Sequence, residues 1–111
     1  MANEIEYKFS EPLDREGRNI LFVKFVVSSG NAQLREFVVS QQLNMKGKTA
    51  EIIRFDGSIK ERVNCHGFYL NPPEKRYLSD SMSYETAERF ILTIRNNWHV
   101  YTAKYTESHN I

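Results

Sequence analysis

The last quarter of the chain carries the feature that most narrows its choice of fold. Ala87, Phe90, Ile91, Ile94, Trp98, Tyr101 and Tyr105 recur at spacings of one, three and four, a pattern that collects on one side of an α-helix. The stripe runs for about five turns, and it predicts a long amphipathic helix over residues 84–106. Ser83 suits the N-cap, Glu85 and Glu88 lie toward the positive end of the helix dipole, and Lys104 lies toward the negative end. Arg89, Arg95, Asn96, His99 and Thr102 fall mostly off the stripe. Such a helix buries its apolar side only against another layer, so the preceding residues must supply a sheet.

That sheet is legible as a series of hairpins. Ile5, Tyr7 and Phe9 alternate with Glu4, Glu6 and Lys8, which predicts an edge strand over residues 4–10 with one wet face. Residues 20–28, rich in β-branched and aromatic side chains on both faces, read as a central strand. Ser28-Ser29-Gly30-Asn31 is turn chemistry, and residues 33–43 return as a third strand. Lys46-Gly47-Lys48 makes the next turn, and residues 49–56 lead to Asp56-Gly57, read as a two-residue hairpin loop. Residues 59–70 are then the return strand, with Glu51 opposite Arg62. Asn71-Pro72-Pro73 ends it, and residues 74–78 allow one further short extended piece. The expected fold is α+β: one domain over residues 1–111, an antiparallel sheet of about five strands packed against one C-terminal helix.

Charge and cysteine content narrow the setting. Fifteen Lys and Arg against fourteen Asp and Glu leave a formal charge of +1, which removes the electrostatic drive for nonspecific binding to nucleic acid or membranes. A local bias exists between Lys46 and Arg76, with seven basic residues against four acidic ones, and it reads as a solvated face rather than as a nucleic-acid interface. Cys65 is the single cysteine, so no intramolecular disulfide forms and a reducing, cytoplasmic setting is expected. The N-terminal residues show no secretory h-region, and the longest apolar run, Ile20 to Val27, is broken by Lys24.

Ile53-Arg54-Phe55-Asp56, His66 with Tyr69, Pro72-Pro73, Ser83-Tyr84-Glu85-Thr86-Ala87, and Asn97-Trp98 with Tyr101 form a pattern over residues 25–107. It resembles a family of uncharacterised prokaryotic proteins of about this length, in which an Arg-aromatic-Asp strand end precedes a His-containing hairpin and a helix bearing Asn-Trp-x-x-Tyr. The resemblance implies an association with toxin–antitoxin or mobile-element defence modules. The family pattern places Ala-His-Gly after the Asp, whereas this chain has Gly57-Ser58-Ile59 and keeps His66 alone, so a two-histidine site is lost.

Arg54, Asp56, His66 and Tyr69 are the candidate catalytic residues. A metal-independent ribonuclease would use His66 as general acid or base and Arg54 against a phosphoryl anion, with Tyr69 or Lys60 assisting. The two-residue loop works against this, because it separates Asp56 from His66 by about 26 Å of strand. Structural roles account for the same residues: a cross-strand pair for Arg54, a turn acceptor for Asp56, a half-buried strand position for His66. Cys65 and His66 are neighbours in a strand and point to opposite faces, so they make no nucleophile–base pair. His66, His99 and His109 are scattered, and no Gly-rich phosphate loop is present, so neither metal nor cofactor is expected.

If the helix covers one side of the sheet, Ile20, Phe22 and Val26 lie on the other, with Leu34 and Val38 beside them. A protein partner or a second copy could cover that face or pair with an edge strand. The leading expectation is therefore a non-enzymatic interaction module of a prokaryotic or phage defence-related system, a toxin–antitoxin partner or inhibitor; the alternative is the ribonuclease using Arg54 and His66.

Overall fold

A computed structural model describes residues 3–111. Six strands follow one another in the sheet in chain order: β1 (Glu4–Pro12), β2 (Asn19–Ser28), β3 (Leu34–Met45), β4 (Lys48–Ser58), β5 (Asn64–Gly67) and β6 (Glu74–Tyr77). All neighbours are antiparallel, and the helix α1 (Tyr84–Ser108) packs on one face. The fold is the expected α+β sheet-and-helix, with six strands rather than about five because residues 74–77 pair with β5.

Local chemistry explains the connections. Lys46 and Gly47 both take positive φ, 50° and 80°, the backbone a two-residue hairpin needs between the paired Met45 and Lys48. Asp14 closes the loop before β2 by accepting from the Arg18 and Asn19 amides at 2.8 and 3.0 Å. Ser83 caps α1, its hydroxyl accepting from the Thr86 amide at 3.2 Å.

The core lies between α1 and the centre of the sheet. Leu21 and Val23 from β2, Phe37 and Val39 from β3, and Ile53 and Phe55 from β4 meet Ala87, Phe90, Ile91 and Ile94. The Phe90 ring stacks on Phe55 with centroids 4.2 Å apart. Trp98 and Tyr101 pack against this cluster half-buried, as their place on the apolar stripe predicts. Cys65 is buried in the same cluster, and burial pushes its thiol pKa up.

Two β-bulges break the simple alternation. Arg35 is the extra residue of the first: Val26 pairs with Glu36 and Val27 with Leu34. Leu34 therefore turns to the helix side and is 6% exposed, which corrects the expectation that it lies beside Phe22, Val26 and Val38. Ile52 is the extra residue of the second, since Gln41 pairs with Ile53 and Gln42 with Glu51.

The hairpin after β4 also differs. Asp56 and Gly57 continue the strand, and Ser58 makes the turn, its hydroxyl accepting from the Lys60 and Glu61 amides at 3.1 and 3.0 Å. Gly57 is needed for space: a Cβ there would meet Val63 Cγ2 at 3.0 Å and Phe37 Cε1 at 3.3 Å. The expected return strand over residues 59–70 shrinks to β5, Asn64–Gly67, and Glu51 faces Gln42 rather than Arg62.

A buried polar knot fastens the helix to the sheet. Gln41 is fully buried, and its amide nitrogen lies 3.0 Å from the Trp98 carbonyl, 2.8 Å from Thr102 Oγ1 and 3.1 Å from Asn19 Oδ1. Gln41→Leu removes a buried donor from a network in which the Thr102 hydroxyl alone would remain to serve Asn19 Oδ1 and the Trp98 carbonyl, so the folding free energy should fall by about 1–3 kcal/mol. Urea unfolding measures this, and a loss below about 0.5 kcal/mol would show that the knot adds little.

Candidate functional site

The sheet face away from α1 is open, and side chains from β1 to β6 line a hollow there of about 650 Å³. Its apolar floor is Phe22 and Val38, both half-buried; Val26 and Ile20 belong to the same face of β2 and are also half-buried. Around that floor stand Lys8, Lys24, Arg54 and Lys75 against Glu36, Glu51, Asp56 and Glu61.

The true register assembles Arg54, Asp56 and His66. Because the turn lies beyond Ser58, Arg54 is directly opposite His66 and Asp56 opposite Asn64. His66 Nε2 comes within 3.5 Å of Asp56 Oδ2, which corrects the separation expected from a loop at Asp56-Gly57. Asp56 also accepts from Asn64 Nδ2 at 2.7 Å and from Arg54 Nε at 2.9 Å.

The Ile52 bulge adds a residue that alternation does not reveal. Residues three apart on a regular strand face opposite ways, but the extra residue turns Glu51 and Arg54 to the same side. Arg54 Nη1 donates to Glu51 Oε1 at 2.8 Å, and Ser40 Oγ donates to Glu51 Oε2 at 2.7 Å. Arg54 is thus clamped between two carboxylates. Phe68 stacks on His66 with centroids 5.4 Å apart, and the Arg54 guanidinium lies 5.5 Å from the same ring.

Tyr69 leaves the constellation. Its ring packs 5.4 Å from Tyr101 and beneath Lys104 on the helix side, so its place among the candidate catalytic residues is corrected. Lys60 is exposed in the turn and does not line the hollow. Among the described residues, no group of three or more His, Cys, Asp and Glu side chains is placed to hold a metal ion. No described helix is long and apolar enough to cross a membrane.

Burial, and then the Arg54 charge, hold the His66 pKa below its ordinary value of 6.5. The imidazole is neutral at neutral pH. Chemically the cluster offers a neutral base beside a carboxylate, and a guanidinium paired through Nε and Nη1 with two carboxylates.

The chain belongs to the family described as "Domain of unknown function (DUF7718)". Its family model matches residues 3–111. The family is an uncharacterised one, as the resemblance in sequence led us to expect. No curated protein and no solved structure matches this chain. The geometry therefore carries the functional argument for this DUF7718 chain.

His66 binds a proton more readily in the unfolded chain than in the folded one. Its contribution to stability is complete above about pH 6.5 and is lost as the pH falls from there through the lower folded-state value. Thermal melts of the wild type should drop in this window, and His66→Gln should flatten that part of the profile. An unchanged slope in the variant would remove His66 as its source.

Proposed function

We propose that this protein is a non-enzymatic protein-interaction module that receives its partner on the open face of the sheet. One observation carries the reading: the hollow there joins an apolar floor, Phe22 and Val38, to four cations balanced by four carboxylates. A protein surface of mixed charge complements such a lattice, whereas a polyanion meets Glu36, Glu51, Asp56 and Glu61. The resemblance in sequence supports placing the partner in a prokaryotic or phage defence-related system, as a toxin, antitoxin or inhibited protein.

The ribonuclease reading has one observation in its favour, the approach of His66 to Asp56 and Arg54 within the hollow. It needs a free cation for the phosphoryl oxygens. Arg54 is held at 2.8 Å by Glu51 and at 2.9 Å by Asp56, so its charge is already balanced by two carboxylates that repel an incoming phosphate.

Phe22→Asp and Val38→Asp should each weaken a stoichiometric protein complex at least tenfold, about 1.4 kcal/mol, with the far-UV spectrum and melting temperature retained. His66→Ala should leave that complex intact. If His66→Ala instead abolishes cleavage of an RNA substrate by a folded protein, the ribonuclease reading replaces this one.

A further inference from the structure

We infer that the outer edge of β1 is a self-pairing surface, through which two copies of this chain join their sheets around a two-fold axis at Tyr7. The inference is independent of the open-face reading. It begins from an edge that is unusual for a lone chain. β1 is nine residues long, sits at the end of the sheet, and has no described strand on its outer side. On its helix side Ile5, Tyr7 and Phe9 are 42, 53 and 43% exposed. A long edge strand with an apolar row is a template for another strand unless something blocks it.

α1 does not cover the row. Its near flank carries Tyr84, whose ring lies 5.7 Å from Phe25, and Arg95, which is paired with Glu11. The apolar row of β1 therefore remains open to solvent on the helix side.

Symmetry and charge identify the occupant as a second copy. A two-fold axis normal to the sheet keeps each face on its own side, so a residue can oppose only residues of its own face. Centred on Tyr7, the pairing sets Ile5 against Phe9 and Glu6 against Lys8, each twice. The neighbouring permitted registers are centred on Glu6 or Lys8 and place like charges directly opposite one another, which destabilises a pair. Within one chain Lys8 faces Lys24 across the β1–β2 ladder, with Glu6 3.6 Å from Lys8 and 3.7 Å from Lys24, and Glu6 of a second copy sets a further carboxylate against Lys8 on its outer side. The far edge of the sheet, β6, is four residues long with the sequence Glu-Lys-Arg-Tyr, a short charged edge that resists pairing. The assembly closes at two copies rather than growing.

Analytical ultracentrifugation of the full chain tests this. The wild type should sediment as a dimer. Glu6→Lys and Lys8→Glu should each raise the dimer dissociation constant about tenfold, and combining them should restore it, since the double exchange rebuilds both pairs. Cysteine scanning fixes the register: under mild oxidation Tyr7→Cys should give a disulfide-linked dimer, because opposed Cβ atoms lie within reach. Ile5→Cys alone should not, while Ile5→Cys with Phe9→Cys should; the buried native Cys65 leaves the background clear. A monomeric wild type, a dimer indifferent to both charge reversals, or cross-linking at position 5 as efficient as at position 7 overturns the proposal.

Discussion

The seating of the α1 stripe on β2, β3 and β4 governs the rest of the molecule. Phe90 lies between Phe37 and Phe55, at 6.1 and 4.2 Å between centroids, and Ala87, Ile91 and Ile94 extend the contact. Each large apolar side chain withdrawn from water here contributes about 1.5–3 kcal/mol before entropy is charged against it. That seat decides which face of the sheet is dry. A helix is about 10–12 Å across with its side chains, whereas strands are spaced about 4.8 Å apart. One helix therefore spans two or three strands of a six-stranded sheet. The opposite face stays open, and at β1 even the helix side is left uncovered.

The bulges convert this plain sheet into one with a chemically dense face. Ile52 is fully buried and lets Glu51 and Arg54 share a side, while Arg35 sends Leu34 inward to the core. Without the Ile52 bulge Arg54 would keep Asp56 as its partner and lose Glu51. With it, Arg54 becomes the centre of a network running from Ser40 through Glu51 to Asp56, Asn64 and His66. Partly buried charges are tolerated because each carries an opposite charge or a hydrogen-bond partner. The same pairing balances the positive charge of the face, in keeping with the proposed recognition of a mixed-charge protein surface.

Much of the site's composition was readable before its geometry. Arg54, Asp56 and His66 stand out as residue types, and Phe22, Val26 and Val38 follow from the alternation of β2 and β3. Their juxtaposition was not readable. Asp56-Gly57 has the chemistry of a tight turn, yet Gly57 serves the packing of Phe37 and Val63, and Ser58 turns the chain instead. That displacement of the loop brings His66 from a position remote from Asp56 to one beside it, and it parts Tyr69 from the cluster.

The amino-acid sequence by itself determined the helix, its Ser83 cap, the alternating strands and the hairpin order, because each follows from periodicity and backbone preference within a few residues. Only the tertiary structure decided the register after β4, the two bulges, the side taken by Leu34 and Tyr69, and the contact between His66 and Asp56. These depend on which distant side chains compete for the same space. A shift of one residue in a strand reverses its faces, and packing of Phe37, Ile52 and Val63 against residues far along the chain selects among alternatives that look equal locally.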